Sequence, residues 1–434
     1  MYVIGLSGKG KSKFLEHCLV QDIEGGRGCG LIDPHSLLAD DIFRNLLTSG
    51  KLSDEIAERI IYVDPARDDY ALPFNVLLSP DKPYDIAASI LEAFRRTWPE
   101  SLREAPHFSN VATAALIVLI ENGMTLMDMH RLLTNDEFRN DCLTRVSEQT
   151  VVEFFQDRYE RWGKEAPVMR ESTLNKVGAF SLNPRLKVML GQTANHLDFQ
   201  KIMDEQKILI LDLGRADGET NRLIGSLVTT GLERAMRRRK RDNLWNLTID
   251  EFSGYVANEG SVKTLAHVFS EGRKFRMSMT VAHQDLSQLT PRMLGALSNV
   301  QTKVIFGVGR NDAEHFAKLI GRVDAEAVKR QPKTESQHEM FESLPEQWEH
   351  WIDQLRFQDP RRAIVANQAG EVNSIRTITI PAYGAEDKEI EELRQSSLKR
   401  YAIPYRKALR NIEEREMSLG PSIWRAEKIP RYGQ

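Results

Sequence analysis

Two short segments of this chain hold residue types at spacings that can do chemistry on a phosphate. The first is Gly5-Leu-Ser-Gly-Lys-Gly-Lys11-Ser12, which fits G-x-x-x-x-G-K-[ST]. Its glycines let successive backbone N–H groups curl around phosphate oxygens without side-chain clash. A helix beginning near Lys11 would aim its positive end at the same oxygens. In this pattern Lys11 reaches the β- and γ-phosphates and Ser12 ligates Mg²⁺. The candidate nucleotide-binding set is therefore Gly5, Ser7, Gly8, Lys9, Gly10, Lys11, Ser12 and Lys13, with Lys9 bringing a second amine near the triphosphate. The bland alternative is a glycine-rich turn that caps a helix. The strand before and helix after this loop favour the phosphate reading.

The second segment, Leu247-Thr-Ile-Asp250-Glu251-Phe, is an apolar strand ending in two carboxylates. Beside a phosphate loop, Asp250 would hold the metal through water. Glu251 would take a proton from an attacking water as general base. Asp-Glu after a strand is common alone and often marks a solvated turn; paired with the first motif it is read as functional. Asp212 also ends an apolar run, but Leu213 follows it, so it is read as a strand-end residue near the site without an adjacent base.

The elements that must position these residues read as alternating strands and helices. Strands are expected at Met1–Leu6, Gly30–Asp33, Arg59–Asp64, Lys207–Leu213, Leu247–Asp250, Met277–Ala282 and Thr302–Val308. Helices are expected at Lys11–Gln21, Leu37–Leu47, Thr220–Arg239, Ser261–Arg273 and Ala313–Ile320, and an edge hairpin at Arg362–Ala366 and Ser374–Ile380. Such alternation predicts an α/β fold with a mostly parallel central sheet. Between them, helical periodicity at Ile86–Phe94, Val111–Glu121, Met127–Leu133, Glu137–Arg145, Thr150–Arg161 and Thr173–Phe180 predicts an inserted all-helical domain. The expected division is 1–82 with 201–383 as the nucleotide-binding domain, 83–200 as the insertion, and 384–434 as a charged, helical and then irregular C-terminal tail.

Composition narrows the function classes. The 434 residues carry 59 basic and 62 acidic side chains, a net charge of −3, so nucleic-acid contact must come from local patches. The three cysteines, Cys18, Cys29 and Cys142, include no C-x-x-C pair, which removes a zinc ribbon and a disulfide framework. The longest apolar run, Val111 to Ile120, is about half a membrane span. With no signal peptide before the loop, the expected location is cytoplasmic, possible peripheral association with a membrane complex aside.

The order of motifs resembles the FtsK/HerA superfamily of ring-forming DNA-pumping ATPases. Within it the chain is most similar to the TraG/TraD-type coupling ATPases of conjugation and type IV secretion. The likeness runs over about residues 1–382. It rests on the two motifs and on Gly30–Asp40, Val63–Leu77, Thr125–Phe138, Lys207–Leu227, Glu271–Leu289 and Phe306–Gly321. The resemblance implies a RecA-like P-loop NTPase fold with ATP and Mg²⁺ as ligands. It gives Gln284 the role of sensing the γ-phosphate or the attacking water, which a carboxamide can do as donor and acceptor at once. It gives Arg273 the role of the arginine that enters the neighbouring subunit's site; Lys274, Arg276 and Arg310 are rivals. The catalytic set is thus Lys11, Glu251, Gln284 and Arg273, with Ser12 and Asp250 at the metal. The implied function is an ATP-hydrolysing homo-oligomeric ring, a hexamer, that translocates DNA, with an accessory or substrate protein docking on the helical domain. The alternatives are a coupling ATPase for a protein substrate, an ATP-gated regulatory subunit of a nuclease or defence complex, and a small-molecule kinase. The chain departs from the family where it commonly has glycine, at Ser36 and Arg276. Neither the membrane helices of anchored coupling proteins nor the β-barrel of HerA-type helicases is read here, and no intrinsic membrane span is expected.

Local charge adds little to the DNA reading. Arg237-Arg-Arg-Lys-Arg241 is a basic run at a helix end, read first as a solvated C-terminus complementing its dipole and second as a phosphate-contacting ring face. The loop from Phe252 to Ser261 is a candidate pore loop, and Lys399, Arg400, Arg406, Lys407 and Arg410 a basic face of the tail.

Overall fold

The structure, a computed structural model, describes residues 1–99, 102, 106–159, 166–252, 268–269, 271–330 and 340–419. Continuous apolar runs bounded by helices have nowhere to go but the middle of a parallel sheet, where both faces are covered. Seven such runs do this: β1 (Tyr2–Ile4), β2 (Gly28–Asp33), β3 (Ile60–Val63), β4 (Ile208–Asp212), β5 (Trp245–Ile249), β6 (Met277–His283) and β7 (Thr302–Ile305). An antiparallel hairpin, β8 (Arg362–Asn367) and β9 (Val372–Arg376), extends one edge. The order is β9-β8-β7-β1-β6-β5-β2-β4-β3. The α/β class with a mostly parallel sheet is thus as expected.

Glycine decides one contact inside the sheet. Gly28 pairs with Trp245 across β2 and β5, and a Cβ on Gly30 would stand 2.4 Å from the Trp245 ring. The ring of this fully buried tryptophan lies where a larger side chain of β2 would be.

Three helices follow the C-terminal ends of β1, β2 and β4: α1 (Lys11–Glu24), α2 (Leu37–Thr48) and α3 (Gly218–Met236). The apolar stripe expected on α3 (Leu223, Ile224, Leu227, Val228, Leu232, Ala235 and Met236) is buried throughout. It packs against the helix Pro83–Thr97, the first of the region 83–200, which is helical among its described residues. Within that region Phe94 stacks on Phe180 with centroids 5.7 Å apart. The helix expected at Thr150–Arg161 is an α-turn, Gln149–Glu153, followed by a π-turn, Phe154–Tyr159. Helices at Asp54–Arg59, Pro184–Leu190, Phe199–Asp204 and Leu344–Arg356 were not anticipated.

The charged C-terminal segment forms two helices, α4 (Asp387–Tyr401) and α5 (Tyr405–Ser418), broken at Ala402–Pro404. α4 packs on β3 and α2, and α5 reaches the helical region, where Arg415 Nη2 pairs with Asp128 Oδ1 at 2.6 Å. The second hairpin strand starts two residues before its expected position, because Asn367–Glu371 closes a tight turn with Gly370 at φ 81°. The candidate pore loop after Phe252 and most of the expected helix Ser261–Arg273 lie outside the described residues.

Candidate nucleotide site

The C-terminal ends of β1, β6 and β5 converge on one place. β1 leads into the glycine loop, and the turn closes because Gly8 and Gly10 take left-handed φ of 77° and 107°, a region that costs other residues. Gly5 is needed for a different reason: its Cβ would lie 2.5 Å from the Cβ of Phe306. Gly10 serves as N-cap of α1, so the first turn presents N–H groups and the Lys11 side chain to the loop.

Lys11 is 7% exposed, and its ammonium has no hydrogen-bond acceptor. The nearest carboxylate oxygen is Glu251 Oε2 at 3.6 Å. Such an orphan is costly in a ligand-free protein, and it is the feature an incoming phosphate would satisfy. Glu251 Oε2 also accepts a hydrogen bond from Gln284 Nε2 at 3.3 Å. Lys11, Glu251 and Gln284 therefore share one oxygen as their meeting point. Glu251 reaches it with a left-handed backbone, φ 44°, strain of the kind that concentrates at functional sites.

β5 does not pair with β1; β6 lies between them. That placement is what brings Gln284, just past the end of β6, between the phosphate loop and the acid pair.

Asp250 is 8% exposed, and its Oδ1 accepts from the Glu251 N–H at 3.0 Å. Burial raises its pKa, with Lys11 acting against that shift. Asp33, at the end of β2, is pushed up to about 6 by burial first and then by Asp250 and Asp212. Ser12 is exposed at the start of α1. Among the described residues no group of three or more His, Cys, Asp or Glu could hold a metal unaided. That suits Mg²⁺, which commonly takes one or two protein ligands plus phosphate oxygens and water. The orphaned ammonium, the open glycine nest and a buried carboxylate beside an exposed serine together fit a magnesium–nucleotide.

Two lysines of the candidate set are engaged elsewhere. Lys9 Nζ donates to the Gln358 carbonyl at 2.9 Å. Lys13 Nζ donates to Glu16 at 2.9 Å, to Asp41 at 2.7 Å and to Tyr383 Oη. Burial alone would lower the Lys13 pKa, but these bonds raise it well above the ordinary lysine value.

Arg273 sits apart from this cluster. It is exposed in the 3₁₀ turn Gly272–Phe275, ahead of β6, whereas Gln284 follows β6. β6 is seven residues long, so the two ends stand roughly 20 Å apart, and Arg273 does not join its own chain's site. Of its rivals, Arg276 pairs with Asp242 at 2.6 Å and Arg310 with Glu314 and Glu349. The basic run is largely paired too: Arg237 with Glu233, Arg238 with Asp81, and Arg239 with Asp204.

A second polar cluster lies alongside, and sequence reasoning missed its extent. Asp212 is fully buried and accepts from Ser36 Oγ at 2.5 Å and Tyr62 Oη at 2.7 Å. Arg394 of α4 is 5% exposed, pairs with Asp40, and stands 3.9 Å from Asp212. No local signal in the C-terminal segment marks Arg394 as buried. His283, next to Gln284, was also unmarked; its Nε2 lies 2.6 Å from Tyr2 Oη, and burial brings its pKa down to about 4. The two departures from the family's glycines have a shared physical basis, since Ser36 and Arg276 both hold left-handed φ, 64° and 53°.

Comparison with known proteins bears on these features. Residues 246–351 match the family model described as the TraM recognition site of TraD and TraG. That span holds Asp250, Glu251 and Gln284. The bacterial conjugative coupling protein TrwBdeltaN70, unbound, superposes with a TM-score of 0.61 at 16% identity, over 88% of this chain and 85% of that one. TrwB in complex with ADP and Mg²⁺ gives 0.60 at 14% identity, over 88% and 86%. VirB4 of Thermoanaerobacter pseudethanolicus gives 0.56 at 15% identity, over 88% and 89%. No curated protein matches the sequence. No helix among the described residues is long and apolar enough to cross a membrane.

Proposed function

From a chain whose fold is that of TrwB and VirB4, and whose residues 246–351 match the TraD/TraG model, we infer an ATPase of the TraG/TraD coupling type that moves DNA through a homo-oligomeric ring. The observation that carries the reading is the buried Lys11 ammonium, without an acceptor and 3.6 Å from Glu251. Lys11 binds the β- and γ-phosphates, and Glu251 orients and deprotonates the attacking water. Gln284, bonded to Glu251, couples that carboxylate to the γ-phosphate position. Ser12 and Asp250 hold Mg²⁺, which supplies charge neutralisation at the phosphate oxygens. Arg273, remote from its own site, acts on a neighbour's.

The test is steady-state ATPase activity with single- and double-stranded DNA, beside particle imaging for rings. Glu251→Gln is expected to retain ATP binding and to lose at least about 100-fold in turnover, as general-base removal does. DNA is expected to stimulate the wild type. A Glu251→Gln protein hydrolysing at the wild-type rate would defeat the assignment. One observation favours a second reading: the matched model is described by its recognition of a protein, TraM. Undiminished ATPase activity without any DNA stimulation would favour a protein-substrate motor.

A further inference from the structure

The position of the general base fixes which way a bound nucleotide must run. Glu251 and Gln284 lie on the β6–β5 side of β1, so the reacting γ-phosphate lies on that side of the glycine loop. The nucleoside end of the same molecule must leave on the opposite side, toward β7 and β8. What stands there is not a β-strand tip alone. Arg361, immediately before β8, donates its backbone N–H to the Lys9 carbonyl of the loop at 2.8 Å. It does so with φ 69°, a conformation unfavourable for arginine. A Cβ on Gly10 would lie 3.3 Å from the Arg361 backbone, so these two segments of the chain run in close contact.

A second segment is fastened over this one. Past β9 the chain continues the hairpin register for one more rung, in which Thr377 N–H donates to the Arg361 carbonyl at 2.8 Å, and then runs without regular structure. Arg361 Nη1 donates to Thr379 Oγ1. Ile378, between these two anchors, is 55% exposed. Farther along, Tyr383 Oη meets Lys13 and donates to the buried Glu16 at 2.6 Å, with the Lys13 ammonium 4.4 Å from the Tyr383 ring centroid. Lys13 belongs to the first turn of α1, one residue past Ser12. The segment 377–383 is thus tied to the loop through Arg361 at one end and to the first turn of α1 at the other.

We propose that Arg361 and residues 377–383 form the nucleoside-facing wall of the phosphate-loop site, with Ile378 packing on the base and Arg361 holding the wall in register. The inference rests on the nucleotide reading above and extends it to the substrate's other end. An apolar side chain covers a base face without reading its edge, and Arg361 offers donors only. The wall therefore selects for a nucleoside over bare phosphate, and only weakly between purines.

The decisive experiment compares two probes on the full chain by calorimetry: MgADP, and magnesium tripolyphosphate, which has phosphates but no nucleoside. Ile378→Asp is expected to weaken MgADP at least tenfold and tripolyphosphate less than twofold. Arg361→Ala is expected to do the same, with unfolding temperatures recorded for both. Lys11→Ala is expected to weaken both probes together. If Ile378→Asp and Arg361→Ala leave MgADP within twofold, or weaken both probes equally, the wall is overturned. If Lys11→Ala leaves both probes unchanged, the loop reading itself fails, and the two failures are told apart.

Discussion

Two polar clusters lie side by side along the C-terminal edge of the sheet, and they are built on opposite principles. At the ends of β1, β6 and β5, a buried lysine lacks an acceptor and a glutamate holds a strained backbone. At the ends of β2, β4 and β3, Asp212 is filled by Ser36, Tyr62 and Arg394, and Asp64 by Ala66 N–H and Arg215. Both clusters contain carboxylates at strand ends, and from sequence Asp212 and Asp250 look alike. The difference lies in what meets the charge. In the second cluster the Arg394 guanidinium is met by Asp40 and Asp212, although its Nε has no acceptor, and the cluster holds α4 against the sheet. The first is left incomplete, and an incomplete buried charge is where a ligand is to be expected.

The largest effect that tests this contrast is expected from Lys11→Met. Turnover should fall by at least about 100-fold, the scale of losing one preorganised charge in a water-excluded site. The ligand-free protein should become more stable by roughly 1–3 kcal/mol, because an unsatisfied buried group is removed. A loss of stability in urea titration would mean that the 3.6 Å ion pair with Glu251 outweighs the missing hydrogen bond at Lys11. Arg394→Met should behave the other way. Deleting one partner of a buried pair costs roughly 3–5 kcal/mol, and chemical unfolding should register this while phosphate binding persists. If Arg394→Met is neutral in stability, the second cluster does not fasten α4.

A smaller effect comes from pH. The Asp33 carboxyl sits at about 6 in the folded chain against an ordinary 3.8. A raised carboxylate means the folded state binds the proton more tightly, so stability grows as pH falls through 6. Asp312, also raised to about 6 by burial, acts in the same direction. Asp69, held down to about 2 by its bonds with Arg67, stays ionised throughout that window. His283, brought down to about 4 by burial, and the N-terminal ammonium, brought down to about 6, act the other way in the same window. The test is therefore differential: the urea midpoint of Asp33→Asn relative to the wild type should be lower at pH 5 than at pH 7, and no such shift would remove Asp33 as a source of charge strain. The smallest expected change is Arg276→Gly. Relieving a left-handed arginine should gain up to about 1 kcal/mol, set against an exposed Asp242 pair worth little. A thermal melt with no gain would show that the turn tolerates arginine at no cost.

Legibility in the sequence followed the range of the forces involved. The strands were readable because a parallel strand buried on both faces must be apolar along its whole length, as Ile208–Asp212 and Met277–His283 are. The glycine turn before α1 was readable because left-handed φ at Gly8 and Gly10 restricts residue type locally. The same local logic explains why the family's glycine positions stand out at Ser36 and Arg276. Helices such as Leu344–Arg356 and Phe199–Asp204 escaped notice because their positions depend on what they pack against. Arg394 escaped because a basic residue in a charged helix carries no mark of burial.

Residue identity by itself determined that a glycine turn, a lysine and an acid pair would exist in one chain, since each depends on backbone freedom or side-chain chemistry alone. Only the tertiary structure decided that β6 would lie between β1 and β5, bringing Gln284 to Glu251 while leaving Arg273 at the far end of the strand. It also decided that Arg361 and Tyr383 would meet residues of the loop and of α1 more than 340 positions earlier in the chain. Strand order and long-range docking are set by the summed burial of many side chains, a quantity that no short stretch of sequence contains.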